Sequence, residues 1–510
     1  MTQMVTRVTT LTRALLHGGE AGDAGVAKGR QIASNVGVQL AARAIGMVLG
    51  VVTVALTART LGTAEYGVWT GVGNYVGLFG VLTSLGFTNA ATLRMAAEPE
   101  REAEWLGALV GARTAMSVVV TLVCIASIPL VLTSTDHSHA VGYILSLATL
   151  STGATSLMTV FQTRLRSGLA VSFTVLQAFL WLGAVVALAV SNGSVVAFAL
   201  ANVLVILIIS LLQIRVTRRM AHIAWRAGLR LWGPLTRVAV PLGVAGVMIT
   251  IYYQVDSVLL LQIAGPREAG IYGAAYGFLG PLLFLPAAIM GSFFPVLSTV
   301  YKSDPDRARR LVQICADIMA VIGLPFLAAT IALSGPVVHL IFGEEFNQAA
   351  PLLPILMIAF VIICYGSLAG FLAPLLDLQW RFALYTTIGA GANVVLNLVL
   401  IPPYGAHGSA WATVATELLT MGLMMATVLR AMRLRLRLGK ILRTLALAAV
   451  MTGVMSGTAF LGLIPAGLIG VLVYAGGLFA LRIVNRDELR AITRRDDAPG
   501  PPAAGSGSAT

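Results

Sequence analysis

The chain has 510 residues, 57% hydrophobic and only 11% charged, with a mean hydropathy of +0.88. Soluble domains carry about 25% charged residues, so a soluble class is excluded and a polytopic membrane protein is expected. The net charge of +13 would suit nucleic acid, but the distribution of the arginines assigns it elsewhere.

In chain order, residues 1–20 lack a sustained apolar core and an A-x-A site, so no cleaved signal peptide is expected. Met4, Val8, Leu11 and Leu15 share a helical face, compatible with a short surface helix or with a disordered tail. Fourteen apolar segments follow. Six run over about 33–58, 66–87, 107–132, 141–162, 169–190 and 194–214. Six more run over about 236–263, 269–297, 311–334, 350–373, 382–401 and 407–429, and two close the series at about 441–461 and 464–484. Each approaches the ~20 residues that cross ~30 Å of hydrocarbon. The stretch between the sixth and seventh, with His222, Trp225, Arg226, Leu229, Arg230 and Trp232, is basic and amphipathic and suits the membrane surface. The tail ends in APGPPAAGSGSAT, a flexible composition.

Basic residues alternate along the connections. One set carries Arg94 and Arg101; Arg164 and Arg166; Arg215, Arg218 and Arg219; Lys302 and Arg307; Arg381; and Arg430 to Arg443. The other set carries only Arg59 and Arg267. This predicts both termini in the cytoplasm. The arginines orient the protein and meet anionic phospholipid, and no nucleic-acid partner is expected.

The chain also repeats. LGTAEYGVW (61–69) and AGPREAGIY (264–272) align at an offset of 203. Gly62 meets Gly265, Glu65 meets Glu268, Gly67 meets Gly270 and Trp69 meets Tyr272. Asn192-Gly193-Ser194 matches His407-Gly408-Ser409 at a slightly larger offset. Six helices plus six in the same orientation form a parallel repeat. The expected fold is therefore all-α, with about fourteen transmembrane helices in two pseudo-symmetric six-helix bundles plus two C-terminal helices. The expected divisions are a cytoplasmic segment 1–32, a first bundle 33–214, a basic interfacial connection 215–235, a second bundle 236–430, helices thirteen and fourteen over 431–485, and a disordered cytoplasmic tail 486–510.

The stretch YYQVDSVLLLQIAGPREAGIYGAAYGFLGPLLFLPAAIMGSFFPVLS (252–298) resembles the core signature of polysaccharide-biosynthesis flippases. These belong to the multidrug/oligosaccharidyl-lipid/polysaccharide exporter superfamily. Further matches are LGTAEYGVW, the turn Gly343-Glu344-Glu345-Phe346, and GANVVLNLVLIPPYGAHGSAWAT (391–413). The resemblance covers roughly residues 30–430. It implies two bundles around a central cavity, alternating access, and residence in the bacterial inner (cytoplasmic) membrane. It also implies a substrate: a polyprenyl-pyrophosphate-linked oligosaccharide carried to the outer leaflet for cell-surface polysaccharide assembly. A polysaccharide polymerase of the same pathway is a candidate partner. Lipid II flippases usually carry an Arg- and Asp-rich stretch around the first outer turn and second helix. Here TAEYGVWTGVGNYVGLFGVLTSLGF has one acid and no Arg, which lowers that alternative. Multidrug exporters of the superfamily commonly stop at twelve helices.

Moving a pyrophosphate and sugars through hydrocarbon calls for guanidinium groups for phosphate and for Asn, Gln, Tyr and Trp for sugars. Arg43, about ten residues into the first segment, is a candidate phosphate ligand or an internally paired residue. Arg113 is a phosphate ligand or snorkels beside Trp105. Gln254, Tyr253, Asn393 and Asn397 are candidate sugar contacts, the two asparagines serving alternatively as interhelical hydrogen-bonding groups. Asp256 in the seventh segment is the leading candidate for proton or sodium coupling, the alternative being an anchor paired with arginine. Glu417, beside Thr413, Thr416 and Thr420, and Asp317, beside Gln313, are further ion-coupling candidates. For Asp317 the favoured alternative is a first-turn or interfacial charge. Pro241, Pro281, Pro286, Pro325 and Pro354 are candidate hinges or static bends.

Cys124, Cys315 and Cys364 lie inside apolar segments and imply no disulfide framework. His137-Ser138-His139 is too short for a metal site. There is no G-x-x-x-x-G-K-[ST] loop, no cofactor is expected, and no catalytic constellation stands out. A membrane-embedded polymerase, ligase or glycosyltransferase would expose a larger loop or domain than this chain offers. The remaining rival is a proton- or sodium-coupled exporter of small amphipathic cations, which an acidic cavity would favour.

Overall fold

The structure, a computed structural model, describes residues 23–132, 136–159, 167–220, 224 and 228–483, with the side chains of 23–44 outside the described set. Every element among the described residues is helical. This follows from the composition: apolar runs in hydrocarbon must satisfy their backbone groups internally.

The elements are α1 (Asp23–Ser84), α2 (Phe87–Ala97), α3 (Glu102–Val131), α4 (Asp136–Ala148), α5 (Ser167–Val190) and α6 (Val195–Met220), followed by α7 (Trp232–Ile263), α8 (Pro266–Tyr276), α9 (Phe284–Ser303), α10 (Pro305–Phe342), α11 (Leu352–Leu372), α12 (Gln379–Ala431), α13 (Gly439–Thr458) and α14 (Leu463–Ala480). Eleven helices are long and apolar enough to cross a membrane. Two of these, Ile45–Ala97 and Gln379–Ala431, are 53 residues each. At 1.5 Å per residue that is roughly 80 Å, more than twice the hydrocarbon core. Each is in fact two crossings joined at a glycine with non-helical dihedrals, Gly62 (φ 68°, ψ 178°) and Gly405 (φ 52°, ψ −131°). The described residues thus hold thirteen stretches long and apolar enough to cross a membrane. The remaining expected segment, 141–162, comprises α4 and two short turns, Thr149–Ser151 and Thr152–Thr155, and then enters 160–166, outside the described residues.

The expected repeat is visible in the backbone. Gly62 and its partner Gly265 (φ 89°, ψ 175°) take nearly the same left-handed, extended conformation at the same kind of turn. An L side chain rarely tolerates that φ. Gly343 and Gly462 also take positive φ in turns between crossings. Helix alternation puts these glycine turns at one end of the bundle, and the Arg94, Arg101 and Arg309 connections at the other.

The two halves meet along α1, α7 and α8, which share one apolar core with α4–α6 and the turn after α10. A second core lies inside the second half, between α9, α10, α11 and the C-terminal arm of α12. Helices α13 and α14 dock outside it on α10, where Ala320, Leu324 and Ala328 pack with Leu447, Met451 and Tyr474. Tyr474 also donates to the Val321 carbonyl at 2.9 Å. The outer faces stay apolar and exposed, as at Leu122, Leu211, Val399 and Leu472, which is what lipid contact requires. The expected surface helix at Met4–Leu15, most of the amphipathic connection after α6, and the tail from 486 lie outside the described residues. The side chain of Pro241 is likewise not described. Pro325 lies inside α10, and Pro281 lies in the short turn Leu279–Leu282 that separates α8 from α9.

Candidate functional site

Between the halves is a cavity of about 560 Å³, within the roughly 300–1,000 Å³ typical of ligand sites. Its first-half wall comes from both arms of α1, from α4 and from α6; its second-half wall comes from α7 and α8. The polar groups on the wall are Trp69, Thr70, Asn74, Thr149, Thr152 and Asn202, with Ser257 and Tyr276 opposite. Gly73, Gly77 and Gly80 line the cavity from α1, and nothing lies within 4 Å of where a Cβ on Gly73 or Gly80 would sit. Trp69 is held by stacking on Trp181, centroids 5.8 Å apart and planes 19° apart, and Trp181 meets Phe198 edge-on.

No charged side chain lines this cavity among the described residues. Sequence reasoning weighed a cationic against an acidic cavity; the wall is neutral. It also passed over Asn74 and Asn202. The signal for Asn74 was present: Gly73, Gly77 and Gly80 recur at helical spacing beside it.

Contacts tie the two halves together at the glycine-turn end. Arg59 reaches from α1 to the C-terminal carbonyls of α10, donating from Nε to Ile341 (3.0 Å) and from Nη2 to Leu340 (2.5 Å) and His339 (3.5 Å). A cation suits a helix C-terminus. Tyr66 packs edge-on against Phe346, and Glu345 lies beside Gly62. Below them the second arm of α1 crosses α8 with backbones in contact. A Cβ on Gly67 would strike the Pro266 carbonyl, and one on Gly270 would strike that of Thr63.

The sequence-predicted residues separate into groups. Asp256, Asn393, Asn397 and Glu417 come together inside the second half, all nearly or fully buried. Asp256 accepts from the Tyr272 hydroxyl (2.5 Å) and from the Ser257 backbone N–H (2.8 Å). Tyr272 lies 3.2 Å from Thr413 Oγ1, one helical turn from Glu417. Asn393 donates to Thr416 Oγ1 (3.5 Å), and Asn397 donates to the carbonyl (2.9 Å) and Oδ1 (3.1 Å) of Asn393. Among the described residues, both Glu417 oxygens, the Tyr252 hydroxyl, Asn397 Oδ1 and the Ser409 and Thr420 hydroxyls are buried with no hydrogen bond of good geometry. No arginine or lysine pairs with Asp256 or Glu417 among the described residues. The cluster does not line the cavity, but Ser257, which donates to Asp256, does.

Gln254 backs the cavity wall at Gly77, with its Oε1 buried and unpaired. Tyr253 lines a second, mostly apolar cavity of about 480 Å³ with Phe294, Phe371 and Phe382. Asp317 stands apart on α10, where it accepts from Gln313 (2.9 Å). Arg113 stands apart in the first half, donating to Thr88 Oγ1 (3.1 Å). The side chain of Arg43 lies outside the described residues. Among the described residues no group of three His, Cys, Asp or Glu could hold a metal ion.

Residues 32–300, just over half the chain, match the family described as polysaccharide biosynthesis protein. The chain belongs to that family. Among individual proteins, it is 27% identical over 179 residues to the probable flippase AglR of Haloferax volcanii, a match covering 34% of this chain and 37% of that protein. It is 25% identical over 136 residues to the lipopolysaccharide biosynthesis protein WzxC of Escherichia coli, covering 26% of this chain and 27% of that one. The chain thus matches about a third of these relatives' length. In three dimensions it is similar to the lipid II flippase MurJ in an inward closed conformation, with TM-score 0.72, 14% identity, and 89% of this chain and 99% of that one covered. It is also similar to an inward-facing multidrug resistance transporter of the MATE family, with TM-score 0.62, 12% identity, and coverage of 78% and 98%. These likenesses show the fold alone: the chain shares the helical architecture of these two structures.

Proposed function

We propose that this member of the polysaccharide biosynthesis family is a flippase. It carries a polyprenyl-pyrophosphate-linked oligosaccharide from the cytoplasmic to the outer leaflet by alternating access, and it is a transporter rather than an enzyme. The observation that carries this reading is the wall of the central cavity. It is neutral, with one stacked tryptophan, two asparagines and several hydroxyls, the groups that stack on and hydrogen-bond to sugar rings. A cavity for amphipathic cations would need an acid on its wall, and none lines this one among the described residues. One relative named a probable flippase and another named a lipopolysaccharide biosynthesis protein support the same reading.

In this proposal the glycine turns face outward and the arginine-rich end faces the cytoplasm, where anionic phospholipid sits against it. The working units are the bundles 33–214 and 236–430, with helices of 431–485 as a lateral brace. In this reading the Arg59 contacts hold the outward end shut and access is from the cytoplasmic side. Asp256 and Glu417 supply ion coupling. Two buried carboxylates joined through one turn of α12 and lacking a basic partner among the described residues are relieved by a proton or a sodium ion. Arg43 and Arg113 meet the pyrophosphate, and a polysaccharide polymerase takes the delivered glycan.

The test is reconstitution into vesicles with a fluorescent lipid-linked oligosaccharide, measuring its arrival in the opposite leaflet. Trp69→Ala and Asn74→Ala are expected to slow translocation while the protein stays folded. Normal rates in both would overturn the sugar-binding role of the cavity.

A further inference from the structure

The second crossing is broken. The second arm of α1 ends at Ser84, Leu85 (φ 29°) and Gly86 (φ 73°) take left-handed conformations, and α2 restarts at Phe87. The break falls less than two turns beyond Gly80 on the cavity wall. Interrupted backbone within a membrane is tolerated where protein or a polar cavity surrounds it. Here Gly243 of α7 lies so close that a Cβ on it would strike the Leu85 carbonyl. The break therefore sits at the seam between the halves.

Two kinds of positive charge meet there. The first is the N-terminus of α2, an 11-residue helix with no side-chain cap and no acid in its first turn. Its leading N–H groups lack intrahelical acceptors and carry the positive end of the helix dipole. The second is Arg113 of α3, only 8% exposed, whose guanidinium reaches that first turn through Thr88. Its Nε is buried with no partner, and no carboxylate pairs with it among the described residues. Left alone, a buried cation against the positive end of a helix is doubly unfavourable. Thr88 Oγ1 accepts from Arg113, and its own proton has no acceptor among the described residues. Every group supplied is a donor, which is the complement of an anion with several acceptor oxygens.

We propose that Arg113, Thr88 and the N-terminus of α2 form a binding site for a phosphate or pyrophosphate group, displaced from the central cavity toward the arginine-rich end. The neutral cavity then takes sugar while this site takes the charge. The identity of the ligand as the pyrophosphate of the carried lipid rests on the flippase reading; the anion site itself does not.

The full chain in phosphatidylcholine nanodiscs is titrated with three probes: inorganic pyrophosphate, a polyprenyl pyrophosphate, and phosphatidylglycerol exchanged into the disc. Thermal unfolding is followed throughout. Polyprenyl pyrophosphate is expected to raise the melting temperature of the wild type. Arg113→Gln should weaken its binding on the order of tenfold to a hundredfold, the loss expected for charge-assisted hydrogen bonds, and should leave the anion-free protein at least as stable. Arg230→Gln, at an exposed arginine, should leave the responses to inorganic pyrophosphate and polyprenyl pyrophosphate unchanged. An Arg113-dependent response to phosphatidylglycerol but not to the polyprenyl pyrophosphate would keep the site and make its ligand a membrane headgroup. Should Arg113→Gln fail to fold, Arg113→Lys, which loses the planar fork, and Thr88→Val take its place. Unchanged responses to all three probes in the variants, or none in the wild type, would overturn the site. Translocation of the oligosaccharide by that same wild type would show that the flippase reading survives without it.

Discussion

Glu65 and Glu268, 203 positions apart, make the same hydrogen bond in the two halves of the molecule. Glu65 Oε2 accepts from the backbone N–H of Val195, the first residue of α6, at 3.2 Å. Glu268 Oε2 accepts from Ala406, the first residue after the Gly405 reversal in α12, at 2.8 Å. Each carboxylate caps a distant helix N-terminus, where a negative charge is favourable. Because the two contacts are equivalent, Glu65→Ala and Glu268→Ala should each destabilise the protein by about 1 kcal/mol, with similar drops in melting temperature. Markedly unequal drops would argue that the two turns are not energetically matched.

The crossing beside these caps is reciprocal as well. Gly67 lies on Pro266 and Gly270 on Thr63, and each pair maps onto the other through the repeat offset. That is the signature of a contact on a two-fold axis. Alanine at either glycine meets backbone rather than a flexible side chain, so the helices must separate. Gly67→Ala and Gly270→Ala should each cost roughly 1–3 kcal/mol and lower the yield of folded protein. Wild-type melting in either variant would contradict the close approach.

The repeat was legible in the sequence because turn chemistry is local. Gly62 and Gly265 recur since few other residues tolerate their backbone, and the glutamates recur beside them. The partners of those glutamates were not legible, because Val195 and Ala406 lie 130 or more positions away and offer only a backbone N–H. Hydrophobic periodicity gave the crossings but not the faces. A charge inside an apolar run, such as Arg113 or Asp256, has the same sequence signal whether it lines a cavity, backs one or sits at a helix break. Apolar segments of similar length also concealed that two pairs of crossings would join as bent double helices at Gly62 and Gly405.

Arg59 ties α1 to the last carbonyls of α10 at the glycine-turn end. It is exposed, so its net contribution is modest, about 1 kcal/mol, enough to shift a two-state equilibrium roughly fivefold. Arg59→Ala should populate the form open at the glycine-turn end. Cys124, Cys315 and Cys364 are buried, so a single cysteine placed at Gly73 can report by labelling from that side. Faster labelling in the Arg59→Ala background is expected, and an unchanged rate would show that the tie does not hold the gate.

Asp256→Asn retains an acceptor for Tyr272 and Ser257 and should fold and express as the parent does. If the carboxylate couples transport to an ion, the variant should translocate at least about tenfold more slowly, corresponding to loss of roughly 1.4 kcal/mol of coupling. It should also lose dependence on the driving gradient. Tyr272→Phe removes one donor to the carboxylate and should have a smaller effect. Normal, gradient-dependent transport by Asp256→Asn would remove Asp256 from ion coupling.

Gly73 offers the most direct test of the cavity as a transport path. Nothing stands within 4 Å of its would-be Cβ, which projects into the space bounded by Trp69, Asn74 and Tyr276. Its α-helical position also means that replacing glycine removes a helix penalty of about 1 kcal/mol. Gly73→Ala should therefore be neutral or mildly stabilising and leave transport intact. Gly73→Trp should fold equally well but fill the cavity, blocking translocation of a bulky glycan. A large side chain that stops transport without lowering the melting temperature separates occlusion from misfolding. If Gly73→Trp transports normally, the lipid-linked glycan does not pass through this cavity.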